Sequence, residues 1–557
     1  MPIMSRPWLT HYPPGVPADI DPCRFGSLPE VIADSCRRFA DLPAFSSMGT
    51  ALSFAQFERA SRDFAAWLQH GAGLKPGDRV ALMLPNLLQY PVAMYGALRA
   101  GMVVVNVNPL YTAPELEHQL NDARVSAVVV LENFAHTLGK AIAATPVRTV
   151  VTTRVGDLFP TPKRLLVNAF VQHVKKQVPP WHLPGTVGWR EALAKGRRTE
   201  FTPVPLTLDD LAFLQYTGGT TGVAKGAMLT HRNMVANLMQ VGAWIAPRLE
   251  DGKETLVIPL PLVHVFALTG ALSFLARGTH SVLVPNPRDL PAFLKTLRST
   301  RCTAIIGVNT LFLMLLDEPG FADVDLGHLK LAVAGGMAVQ QSVARRWRER
   351  TGVPLVEGYG LTESSPVAIA NPVTVKEWSG GIGLPLPSTE AAILDEAGHP
   401  VDVGEVGEIC VRGPQVMKGY WHRPEETADV LTPEGWLRTG DMGCMNAEGH
   451  FRLTDRKKDV IVVSGFKVFP TEVEDVLALH PGVREAAVVG VPDERAGEAV
   501  KAVVVPRDPA LTEADLMAHC RQHLTGYKLP RWIEFRSEPL LKTHVGKILR
   551  RELRDPA

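Results

Sequence analysis

The sequence predicts an α/β protein. It has a large N-terminal domain of α/β subdomains that includes a small β-rich subdomain, and a small α+β C-terminal domain. Three observations carry this. Short continuous apolar runs alternate with segments of helical periodicity from Asp78 to Leu131, and again from Leu256 to Ala334, the pattern of a largely parallel sheet covered by helices. From Ile382 the character changes to short strands and turns, as in Val406-Gly-Glu-Ile-Cys-Val-Arg412. The charged run Asp455-Arg-Lys-Lys-Asp459 then separates Phe451-Arg-Leu453 from Val460-Ile-Val-Val463, as an interdomain connector would. The chain has 557 residues, more than one hydrophobic core organises. The expected division is 1–454 for the large domain, with its β-rich part at about 382–454, a hinge at 455–458, and 459–557 for the small domain.

The elements follow in order. Residues 1–50 are proline-rich, with a helix predicted over Pro29–Phe39 and an amphipathic helix over Ser53–Ala72. Asp78–Leu84 reads as a buried strand, Tyr90–Ala100 as a helix and Met102–Asn106 as a second strand. Pro114–Asp122 is helical and Ser126–Leu131 is a third strand. Leu211–Gln215 is a buried strand, and Met228 onward reads as the start of a helix. Val353–Val356 is a strand before the glycine-rich Glu357–Glu363. In the last part, Thr471-Glu-Val-Glu474 has the spacing of a capping box opening a helix, with strands at Ala486–Gly490 and Ala502–Val505.

Composition excludes several classes. The net charge of +1 does not suggest a nucleic-acid binder. The six cysteines are scattered without a C-x-x-C pair, which argues against a disulfide framework or zinc site and for reduced thiols in a cytosolic enzyme. The N-terminus lacks the apolar core of a signal peptide, and no stretch approaches the roughly 20 apolar residues of a spanning helix. Membrane contact is therefore expected to be peripheral.

The stretch Tyr216–Ala227 carries the strongest chemical signal. Its twelve residues hold four glycines, three threonines and Lys225 between two apolar elements. Glycines let backbone N–H groups turn inward on a phosphate, threonines add hydroxyl donors, and the lysine adds positive charge. The spacing matches neither a Walker A loop nor a Rossmann fingerprint. Pro162–Val178 is a second unusual stretch. Leu166, Phe170 and Val174 share one helix face, and Lys163, Arg164, Lys175 and Lys176 flank it, with Trp181 just beyond. Two readings stand open: a helix packed on the protein with solvated charges, which comes somewhat first, and a helix lying on an anionic membrane surface.

Five patches in order, Tyr216–Ala227, Glu357–Glu363, Gly435–Asp441, Asp455–Lys458 and Gly546–Lys547, resemble the acyl-adenylate-forming superfamily of acyl-CoA synthetases, luciferases and adenylation domains. Within it, Leu87–Ala93, Asn106–Tyr111, Glu115–Asp122 and Ser464–Phe466 are similar to bacterial long-chain fatty-acid–CoA ligases. The resemblance covers nearly the whole chain. It implies ATP-dependent activation of a fatty acid through acyl-AMP, then transfer to coenzyme A. It implies Mg²⁺ held by Thr217 and Glu363, and a triphosphate cradled by Tyr216, Thr217, Gly218, Gly219, Thr220, Thr221, Gly222 and Lys225. Gly335, Gly336, Glu357, Gly358, Tyr359 and Thr362 would line the adenine and α-phosphate pocket, with Tyr359 stacking on the base. Asp441 and Arg456 would hold the ribose. Lys547 would contact the α-phosphate and the fatty carboxylate; Lys458 would be the pivot of a mobile C-terminal domain, and Gly465 would border the pantetheine channel. His264 is expected at the acyl or pantetheine junction, although Val263 stands where relatives often carry an aromatic residue. Lys467 replaces a common asparagine and could add a phosphate contact.

Other readings within enzymes are ligation of medium-chain or aromatic acids, or acyl transfer to a carrier protein. A non-catalytic nucleotide-binding or membrane scaffold is the reading from another class. Expected partners are fatty acid, ATP and CoA, with no nucleic acid. Membrane contact is expected at the inner face of the cytoplasmic membrane, and a homodimer is one candidate assembly.

Overall fold

A computed structural model describes residues 6–217, 224–493, 495–543 and 548–553. Among these residues the strands form four sheets. The first has, from edge to edge, Val187–Gly188, Thr149–Thr153, Val125–Leu131, Arg79–Met83, Val103–Asn106, Leu211–Thr217 and Lys225–Thr230. All its neighbours pair in parallel except the last two. Val125–Leu131 is buried at every residue, which explains its unbroken apolar run. The second sheet runs Leu384–Pro385, Val367–Ala370, Leu355–Gly360, Leu331–Gly335, Ala304–Gly307, Thr255–Ile258, His280–Leu283, Pro43–Ser47 and Thr50–Ser53. One apolar core spans the elements of both.

A buried polar network ties the two sheets together. Asn86 donates to the carbonyls of Ile258 and Leu260 and accepts from the Leu262 N–H. The Tyr90 hydroxyl lies 2.7 Å from Asn106 Oδ1 and 2.9 Å from the Leu262 carbonyl. Asn106 donates to Gln215 Oε1 at 2.8 Å, and Gln215 donates to the Val263 carbonyl at 2.8 Å. Such a network fixes one relative placement of the layers, because each buried polar group left unmatched would cost about 1–3 kcal/mol.

The third sheet, Glu390–Leu394, Gly407–Arg412, Leu437–Met445 and Phe451–Arg456, is wholly antiparallel. Its last strand runs through Asp455 and Arg456, so half of the predicted hinge is paired backbone. The fourth sheet joins Val483–Asp493 and Gly497–Pro506 with the hairpin Ile461–Val463/Phe466–Val468 and the parallel strand Trp532–Phe535.

Two local expectations are corrected. The helix expected directly after the glycine-rich loop begins only at His231, because Lys225–Thr230 is a strand antiparallel to Leu211–Thr217. Thr230 and Asn233 form the capping box that starts the helix. The capping box expected at Thr471–Glu474 does not form. The helix opens at Pro470, and the Thr471 N–H donates instead to Asp455 Oδ2 at 2.7 Å, so the cap comes from the preceding sheet.

Candidate active site

The strands Leu211–Thr217 and Lys225–Thr230 hold the base of the glycine-rich loop, with Thr217 opposite Lys225 and Tyr216 opposite Gly226. Gly218, Gly219, Thr220, Thr221 and Gly222, together with Lys547, lie outside the described residues. Tyr216 is a buried peg. Its hydroxyl donates to Asp122 Oδ2 at 2.6 Å, and Arg423 donates to the other oxygen of Asp122 at 3.1 Å. Burial, reinforced by the Asp122 charge, holds the Tyr216 phenol well above its ordinary range.

A second layer closes on this hairpin. The capping residue Asn233 donates to the carbonyls of Pro414 and Val416. Met417 N–H donates to the Glu363 carbonyl at 2.8 Å, and Trp421 N–H donates to the Gly226 carbonyl at 2.8 Å. Tyr420 therefore sits between loop base and carboxylate. Its hydroxyl donates to Glu363 Oε1 at 2.6 Å, and Lys225 Nζ stands 5.4 Å from its ring centre. Thr217 and Glu363 are both half-buried, so neither is sealed in the core.

Leu331–Gly335 and Leu355–Gly360 lie side by side, with Gly335 opposite Gly358. A Cβ on Gly335 would come within 2.9 Å of the Phe266 ring, and one on Gly360 would sit 1.7 Å from the Pro366 carbonyl oxygen. Both positions need the missing side chain for close approach. Gly336 follows at φ +76°, and Thr362 is half-buried in the short turn Thr362–Ser364. Glu357 is buried, and both its oxygens are engaged: Oε1 by the Val339 N–H at 3.0 Å, Oε2 by Trp378 Nε1 at 2.8 Å. Burial pushes its carboxyl up to about 7 against those hydrogen bonds, and the charge of Asp475 from the C-terminal part adds to the effect. Tyr359 donates to Asp441 Oδ2 at 2.8 Å, while Arg456 Nε lies 3.2 Å from Asp441 Oδ1. Strand pairing of Asp441 with Arg456 sets this contact, so the two expected ribose residues meet through backbone register.

His264 caps the helix Val265–Leu275, its Nδ1 accepting from the Phe266 N–H at 3.4 Å. The Gln215–Val263 bond couples it to the strand that leads into the glycine-rich loop. Lys458 is exposed in the turn after Arg456. Gly465, at φ +86°, lies at the exposed tip of the Ile461–Val468 hairpin. Lys467 Nζ lies 4.0 Å from Glu396 of the third-sheet region.

The description "AMP-binding enzyme" fits residues 32–421, and that of its C-terminal domain fits 472–547. The chain belongs to the AMP-binding enzyme family. It is 55% identical to a long-chain-fatty-acid–CoA ligase of Escherichia coli O157:H7, over 100% of this chain and 99% of that one. It is 50% identical to the ligase of the same description from Haemophilus influenzae, over 99% and 98%. Among solved structures it resembles ATP-bound MatB from Rhodopseudomonas palustris with a TM-score of 0.78 and 27% identity, covering 94% of this chain and 98% of that chain.

In this AMP-binding enzyme the motif residues rest on further partners: Tyr420 and Trp378, which lie outside the sequence motifs, and Asp122 and the Asn86–Tyr90–Asn106–Gln215 network, to which the sequence assigned no individual role. Asn106 and Gln215 did leave a signal, as amides inside otherwise apolar strands. Tyr420 left none, since it lies 57 positions from the carboxylate it binds.

Proposed function

We propose that this enzyme activates long-chain fatty acids with ATP, releasing pyrophosphate, and passes the acyl group from acyl-AMP to coenzyme A. The supporting observation is full-length identity with long-chain ligases in a chain whose Tyr359, Asp441 and Arg456 meet in one hydrogen-bonded group. In the first half-reaction a carboxylate oxygen attacks the α-phosphorus and the bond to pyrophosphate breaks. In the second, the CoA sulfur attacks the acyl carbon and AMP leaves.

The chain's part is to position substrates and neutralise charge. Thr217, Lys225 and the glycine-rich loop hold the triphosphate. Asp441 accepts from the ribose, oriented by Tyr359 and Arg456. Tyr359 also walls the base, and Glu357 braces its strand from behind. Thr217 and Glu363 offer the hard oxygen donors that suit Mg²⁺, and Tyr420 fixes one oxygen of Glu363. Among the described residues no group of three or more histidines, cysteines or carboxylates is placed to hold a metal ion. When bound, Mg²⁺ supplies charge neutralisation on the phosphates. Lys547 joins the α-phosphate and fatty carboxylate in the first half-reaction, then leaves as the C-terminal domain, 459–557, turns about Lys458 and brings Gly465 to the pantetheine channel. His264 borders the acyl and pantetheine junction.

The enzyme works at the inner face of the cytoplasmic membrane, where its substrate partitions. Among the described residues no helix is long and apolar enough to cross a membrane. A panel of acids from octanoate to oleate, with aromatic acids alongside and either CoA or a carrier protein as acceptor, tests the reading. Thioester formation should favour long chains and CoA. No activation from octanoate to oleate would sink it, and no pyrophosphate release with any acid would leave a non-catalytic scaffold.

A further inference from the structure

The segment Thr161–Val174 is a continuous helix, regular through Ala169 and widened to a π turn over Phe170–Val174. Its largest apolar side chains face away from the core. Leu165 is 60% exposed, Leu166 72%, Phe170 47% and Val174 66%. The face towards the protein is mixed, with Lys163, Val167, Asn168 and Val171 half-buried. Asn168 accepts from the Gly156 N–H at 2.8 Å and donates to Asp157 at 3.3 Å, while Val167 rests against the main core. Lys163 donates to the Met48 carbonyl, which brings the exposed Met48 to the N-terminal end of the patch. At the other end, Asn133 holds the Gln177 carbonyl at 3.0 Å. The helix is thus fastened to the protein with Leu165, Leu166, Phe170 and Val174 outward.

The charge around the patch selects its occupant. Residues 161–178 contain Lys163, Arg164, Lys175 and Lys176 and no aspartate or glutamate. Lys163 lies 5.1 Å from the Phe159 ring centre and Lys175 lies 5.9 Å from that of Phe170, so cations border the apolar stripe at both ends. A second copy offering the same face would set cation against cation. An anionic bilayer offers hydrocarbon for the stripe and headgroup phosphates for its ends.

We infer that the outward face of 161–178, with Met48, is the surface by which this protein docks on an anionic lipid bilayer. The inference deepens the membrane-side location proposed above and rests on it.

Co-sedimentation of the full chain with vesicles of phosphatidylglycerol and phosphatidylethanolamine, or of phosphatidylcholine alone, tests it. The wild-type chain should pellet with the anionic vesicles, less so as salt is raised. Arg164→Gln/Lys175→Gln/Lys176→Gln should weaken that binding about 100-fold, from roughly fivefold per cation. Leu165→Gln/Leu166→Gln/Phe170→Gln/Val174→Gln should weaken it at least about tenfold. All seven side chains are solvent-accessible, so unfolding midpoints should match the wild type, and matched midpoints qualify the comparison. Acyl-CoA formation from water-soluble octanoate, without vesicles, should be unchanged in both variants and reports separately on the ligase reading. Vesicle binding that neither variant weakens would leave the membrane location standing and overturn this surface. A wild-type chain that ignores vesicles but forms a dimer, with the apolar variant monomeric, would overturn it in favour of a second copy.

Discussion

Asp441→Asn tests one contact of the proposed nucleotide site. Asp441 is buried, with one oxygen accepting from Tyr359 at 2.8 Å and the other facing Arg456 at 3.2 Å. The amide keeps the shape. If its oxygen stays on Arg456, its NH₂ meets the Tyr359 hydroxyl, which can rotate to accept. What disappears is the anionic acceptor proposed for a ribose hydroxyl. A hydrogen bond to a charged group contributes about 1.5–3 kcal/mol, so kcat/KM for ATP should fall about 10- to 100-fold. Pyrophosphate release at saturating fatty acid measures this with ATP and with its 2′-deoxy and 3′-deoxy analogues. The wild-type enzyme should discriminate against the analogue lacking the contacted hydroxyl. The variant should lose most of that discrimination, because each change removes one half of the same bond. Equal discrimination by both enzymes, or none by the wild type, would refute the role given to Asp441.

Lys547→Ala should lower adenylation at least about 100-fold while leaving the conversion of supplied acyl-AMP and CoA to acyl-CoA near wild-type rates; equal loss of both half-reactions would remove the role assigned to it. Glu357 should make stability pH-dependent. Its folded carboxyl titrates at about 7, above the ordinary 4.5, so its contribution is complete below pH 4.5 and is lost as pH rises through 7. That loss amounts to about 3 kcal/mol, and denaturant unfolding across this window should show a flatter slope for Glu357→Gln; an unchanged slope would rule the explanation out. Arg550→Met should destabilise the C-terminal part by about 3–5 kcal/mol. The guanidinium contacts Asp455, Asp459 and Glu474, and the Asp455 side chain is only 1% exposed. Hydrogen exchange over Pro470–Leu479 reads the effect, and a loss below about 1 kcal/mol would contradict it.

The parallel sheets were legible because their strands are buried on both faces and so spell continuous apolar runs. Lys225–Thr230 was not. It is mixed in polarity and runs directly into a helix, so its pairing with Leu211–Thr217 has no signature apart from that partner. The Thr471–Glu474 pattern misled because Asp455, a residue of another sheet, reached the N–H first. Glu363, Tyr359, Asp441 and Arg456 stood out through their motifs. The donors that orient them come from distant segments, as Tyr420 does for Glu363, and only folding reveals those pairings.

Asp455 belongs to two bodies at once. Its backbone pairs with Met442 in the third sheet, while its side chain holds Thr471 and Arg550 of the C-terminal part. A rotation about Lys458 would therefore have to part a buried carboxylate from both partners. A toll of about 3 kcal/mol would keep the rotated arrangement to a population on the order of 1%. Bound acyl-adenylate and CoA would have to prefer that arrangement by more than this margin before the second half-reaction could dominate, so the ion cluster would set how rarely the enzyme opens towards CoA without an acyl group to transfer.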